Sequence, residues 1–229
     1  MTEPVTDDDG ERSLWQALRR AGEALVDDVW PFFAVSAAWL ALAMLGLLLG
    51  RLHVGLSASL LLLLPLTWGL GRMAAVTVRY RRARFRDLAA GATVRWWAKV
   101  ALALAQVVVG LVAWLNIELA LATGRTALVL AAVASANVAL AVAASAVTIW
   151  PLLLDPSRDG RAVRELLWLG VAVLVLRPAR VLATLAVGVV FAAVSLQTVV
   201  AALLLVPLGV LLAAHVVLPI ADAVETPPP

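Results

Sequence analysis

The chain has 229 residues, 63% of them hydrophobic and only 14% charged, where a soluble domain would carry about 25% charged residues. One water-soluble core cannot hide that surplus of Ala, Val and Leu, so the expected solvent is lipid. A net charge of +3 and a pI near 10.5 would suit nucleic acid, but the arginines sit in short loops between apolar runs, which favours membrane topology over a nucleic-acid footprint.

In chain order, residues 1–12, with the run Asp7-Asp8-Asp9, are acidic and expected to be disordered. They do not resemble the basic-then-apolar start of a signal peptide. Residues 13–29 predict an amphipathic interfacial helix, with Leu14, Leu18, Ala21 and Leu25 on one side and Trp15 at headgroup depth. A first span covers about 30–49, some 20 residues or roughly 30 Å, the thickness of a bilayer core. Gly46 and Gly50 form a GxxxG pair within it. After a short turn at Arg51 and His53 comes a second span, about 54–71, in which Pro65, Gly69 and Gly71 predict a kink or an unwound inner end.

Residues 73–88 read as a second interfacial helix carrying Arg79, Arg81, Arg82, Arg84 and Arg86, the densest basic stretch of the chain. Spans three and four, about 100–123 and 127–149, are joined at Gly124 and Arg125. The apolar stretch within 162–176 is too short to cross a bilayer and predicts an interfacial or half-inserted helix. Spans five and six cover about 181–196 and 199–218, and 221–229 reads as a disordered tail. The expected fold is thus an all-α polytopic bundle of about six transmembrane helices plus interfacial helices.

Of 18 Lys and Arg residues, three fall in the N-terminal segment, seven in the loop around Arg79 and five between Arg158 and Arg180. Only Arg51 and Arg125 fall in the opposite turns, and Arg72 marks a span boundary. By the positive-inside rule the basic side, with both termini, is cytoplasmic, and the expected location is the plasma membrane.

The glycine-broken stretch Gly69-Leu70-Gly71-Arg72-Met73-Ala74-Ala75 runs into basic 78–86. Arg86-Asp87-Leu88, Leu115-Asn116-Ile117, Trp150-Pro151-Leu152-Leu153 and Arg177-Pro178-Ala179-Arg180 follow in order. Over roughly residues 30–215 this pattern resembles the YesL-like family of bacterial integral membrane proteins, departing from it at Arg72, where a proline is expected. The resemblance implies a small multispan protein without an assigned activity, in some bacteria associated with carbohydrate uptake and breakdown.

Chemistry inside the membrane would centre on ionisable and polar groups. Glu118 is the one acidic residue within an expected span; Asn116 lies two residues before it, and folding at Gly124 would bring Asn116 within a turn of Asn137. That cluster reads as helix–helix adhesion or as a ligand site. The serines of the spans have no neighbouring His for a nucleophile–base pair, and His53 and His215 fall on opposite sides, so no catalytic, cofactor or metal site is expected. With no cysteine, disulfides, thiolate metal sites and palmitoylation are excluded.

The expected function is therefore a non-enzymatic accessory membrane protein, in contact with a transporter subunit or a second copy of itself. The alternative is a small-solute transporter or channel, and an intramembrane enzyme ranks below both. Arg79, Arg81, Arg82, Arg84 and Arg86 are the candidate surface for anionic lipids or a partner, with Tyr80 and Phe85 interleaved.

Overall fold

The computed structural model describes residues 7–49, 54–195 and 197–225, with side chains over 14–44, 63–195, 197–198 and 201–225. Expectations about residues 1–6, the Arg51–His53 turn, the Gly46/Gly50 pair and residues 226–229 lie outside these. Helices α1 (Asp7–Asp27), α2 (Val29–Leu49), α3 (Val54–Tyr80), α4 (Phe85–Thr93), α5 (Trp96–Thr123), α6 (Thr126–Leu154), α7 (Val163–Leu176), α8 (Pro178–Ser195) and α9 (Val199–Glu225) follow in order. A 3-10 turn, Pro156–Arg158, precedes α7, and no strand occurs among the described residues.

The chain is a helical membrane protein. α5, α6, α8 and the Ala201–Glu225 part of α9 are each long and apolar enough to cross a bilayer, and α1 and α2, bent by 91°, make a fifth candidate as a pair. α9 is the central element, packing against α1, α2, α3, α6, α7 and α8. Nearly half of its most apolar stretch is buried, whereas α5 and α6 leave most of theirs exposed. Those exposed faces, with Leu104, Val108, Leu111, Trp114, Leu121 and Leu130 outward, suit hydrocarbon rather than water.

Four boundaries differ from expectation. α1 begins at Asp7, inside the stretch expected to be disordered, and its small apolar side (Ala17, Ala21) is buried against α9. There is no interfacial helix over 73–88. α3 continues unbroken through Pro65, Gly69 and Gly71 to Tyr80, because Met73, Ala74, Ala75 and Val76 are buried in the main core. No unwound inner end forms, and the glycines serve close approach. α4 folds back along α3, and a Cβ on Gly91 would lie 2.7 Å from Gly69 Cα and 2.8 Å from the Trp68 carbonyl oxygen. α6 runs through Pro151 to Leu154, and α9 runs seven residues past its expected end, converting 221–225 from tail to helix.

The short helix α7 has 14 residues, about 21 Å, too short to cross a bilayer. It packs along α6, where a Cβ on Gly170 would lie 2.7 Å from Ile149.

Turns follow local chemistry. Gly124, left-handed at φ 63°, donates its N–H to the Ala120 carbonyl and closes α5. The Thr198 hydroxyl accepts from Ala201 N–H and caps α9. Arg81 (φ 57°) and Arg95 (φ 51°) adopt the same left-handed conformation without glycine's freedom, a strain of order 1–2 kcal/mol each, on either side of α4.

A 27-residue helix is about 40 Å long, roughly 10 Å more than a bilayer core. Arg72 and Arg79 on α3 and Asp222 and Glu225 on α9 gather the charge of both helices at one end.

Candidate functional site

The charged end is held by an ion-pair network joining three segments far apart in sequence. On α3, Arg72 and Arg79 are two turns apart on one stripe. Arg72 makes a bidentate pair with Asp159, at 2.8 Å from Nη1 to Oδ1. Arg79 donates from Nη2 to Asp155 (2.7 Å) and to Asp222 (2.9 Å). Arg158 reaches Asp155, Asp222 and Glu225, and Arg161 also pairs with Glu225. Among the described residues four arginines thus meet four carboxylates, and their charges balance.

Asp155 is its buried centre, with no exposed surface, while Arg158 is 3% exposed. Burial would raise the Asp155 carboxyl, but hydrogen bonds from Arg79 and from the Ser157 hydroxyl and N–H outweigh it and hold the group below the ordinary carboxylate value. Arg95 clamps the same loop from α5: its Nη2 lies 2.5–2.6 Å from the carbonyl oxygens of Arg158, Asp159 and Arg161.

The expected basic surface divides in two. Arg79 belongs to the neutral network. Arg81, Arg82, Arg84 and Arg86, at the corner between α3 and α4, are exposed and form no ion pair among the described residues. Tyr80 and Phe85 are exposed beside them, and Trp30 lines the same groove as Arg82, Arg84 and Phe85, a cleft of about 490 Å³ against the α1–α2 bend. The corner is fixed there by Asp28, whose carboxylate accepts the Ala83 N–H at 2.8 Å.

The expected polar cluster does not assemble. Asn137 is exposed on α6 and its amide donates to the Val133 carbonyl (2.8 Å); Asn116 makes no hydrogen bond to it. Glu118 is exposed on α5 with no ion-pair partner among the described residues. None of the three lines a pocket described below.

Sequence reasoning missed two features. Lys99 is buried at the start of α5, its ammonium donating to the Gly91 carbonyl and lying 5.0 Å from the Trp68 ring centroid. Trp68 stacks on Trp150 at 6.3 Å, and Trp150 Nε1 donates to Gln106 (3.2 Å). Trp68, Trp150 and Gln106 line an apolar cavity of about 780 Å³ between α3, α5, α6, α8 and α9, together with small residues such as Gly71, Gly110, Ala143 and Gly209. Its few polar lining groups include Thr67 and Gln106, and no charged residue lines it. The sequence signal for the network was available in Arg72 and Arg79, seven residues apart in an apolar helix. That for the cavity was not, because it depends on how far α5 stands from α3.

No group of three or more His, Cys, Asp or Glu side chains among the described residues has the arrangement of a metal site. No family model matches the chain, and neither a curated protein nor a solved structure does.

Proposed function

We propose that this protein is a non-enzymatic component of the plasma membrane that docks a partner through the exposed corner between α3 and α4. One observation carries the reading. Arg72, Arg79, Arg158 and Arg161 are matched by carboxylates of the same chain, whereas Arg81, Arg82, Arg84 and Arg86, a few residues away, are left exposed beside Tyr80 and Phe85. Exposed arginines interleaved with aromatics are what an interface favours.

The corner faces the cytoplasm in this proposal, with six spans (α2, α3, α5, α6, α8 and α9) and both termini on that side. Supporting it are the positive-inside bias and the packing of α1 against α9 at the charged end. The resemblance to YesL-like proteins adds the expectation that the partner belongs to a carbohydrate-uptake system.

Affinity purification of the full chain in mild detergent tests this. A transporter subunit should co-purify with the wild type and be lost from the Arg81→Gln/Arg82→Gln/Arg84→Gln/Arg86→Gln variant. A chain that purifies alone, or a partner retained by that variant, would sink the proposal.

A further inference from the structure

A separate pocket at the charged end, about 150 Å³, lies between α1, α8 and α9. Gln16 and Arg20 line it from α1, Arg180 from the first turn of α8, and His215 from α9, over a floor that includes Val216 and Pro219. Neither guanidinium has a carboxylate partner among the described residues, and the first turn of α8 holds no acidic residue to offset Arg180. The His215 Nδ1 lies 3.0 Å from the Leu211 carbonyl oxygen, so Nδ1–H donates there and Nε2 is left without a partner. Two like charges from separate helices facing one small concavity repel each other unless an anion lies between them. The contrast with the network next to it is sharp, since every arginine there is neutralised within the chain.

We infer that this pocket binds a phosphate group. Two arginine forks match the oxygens of a tetrahedral anion. The unpartnered His215 Nε2 can accept a hydrogen bond from the P–OH of a monoprotonated phosphate or from a hydroxyl of a phosphoglycerol headgroup, whereas sulfate offers neither donor. The volume suits one such group, being that of about five water molecules at roughly 30 Å³ each. α1 beside it carries exposed Trp15, the residue type that settles at headgroup depth, so a phospholipid headgroup and free phosphate are the two sources of this chemistry.

The test uses the full chain in phosphatidylcholine nanodiscs, with thermal unfolding and native mass spectrometry as readouts. The probes are inorganic phosphate, sulfate, and nanodiscs containing phosphatidylglycerol. Retention of one phosphatidylglycerol, or stabilisation by phosphate but not by sulfate, supports the site and identifies its source. Either effect should weaken at least tenfold in Arg20→Gln, a change at an exposed position that leaves the fold intact, and further in Arg20→Gln/Arg180→Gln. It should persist in the variant stripped of Arg81, Arg82, Arg84 and Arg86. Binding of neither probe, equal binding of sulfate and phosphate, or binding unchanged in Arg20→Gln would overturn it.

Discussion

Asp155 shows how a single residue organises one end of this molecule. Its carboxylate is fully buried yet ionised, because Arg79 and Arg158 converge on it and Ser157 adds two hydrogen bonds. Asp155→Ala strands both guanidiniums and should cost up to about 3–5 kcal/mol, tempered by the pairs that Asp222 and Glu225 keep. Thermal unfolding in detergent measures it. The same carboxylate sets a pH dependence. Its folded-state pKa lies below its unfolded value of about 3.9, so its contribution is complete above that value and is lost as pH falls through the lower folded value. The melting temperature should therefore drop below about pH 4, and the drop should be smaller in Asp155→Asn, which cannot titrate. An equal acid response in both would show that other groups carry it.

Among the elements, the α3–α4 hairpin depends on two glycines meeting backbone to backbone. Any side chain at Gly91 meets Gly69 Cα and the Trp68 carbonyl, neither of which can swing aside. Gly91→Val should cost at least about 1–3 kcal/mol and detach α4 from α3, visible as protease cleavage near Arg82 or Arg84. The apolar helices themselves were legible in the sequence, since unbroken runs of Leu, Val and Ala leave no other structure in lipid. Helix ends were not. Stretches 73–80 and 219–225 look too polar for a span, but each buries apolar side chains, and Arg79 pairs with Asp155 and Asp222, 76 and 143 residues away. Local periodicity cannot report pairing at that distance. The basic corner was legible as a charge cluster, whereas the loss of Arg79 from it to the network was not.

For the whole molecule, the prediction is one of sidedness. Reporters fused after Glu225 and within the loop 156–161 should report the same side of the membrane, since Arg158 and Arg161 pair with Glu225. Reporters near Gly124 should report the other side. Because the network's charges balance, the positive field of the charged end is expected to come from the corner and from Arg20, Arg177 and Arg180. Binding to anionic vesicles should accordingly fall with salt and with the corner variant, and hardly at all with Arg72→Gln.

The proposed topology places the charged ends of α3 and α9 past the hydrocarbon and so gives the protein two solvents. Between spans, helices are no more apolar than the lipid they displace, and packing rather than water expulsion holds them. Around Met73, Ala74, Val217 and Ala221, by contrast, burial removes surface from water, and that part should unfold with the heat-capacity rise and denaturant sensitivity of a soluble domain. Urea should then melt the charged end in its own transition, with a slope set by this small core, while the spanning helices keep their far-ultraviolet signal. That charged end would be the least persistent part of the molecule, and a partner bound there would raise its melting point without touching the spans.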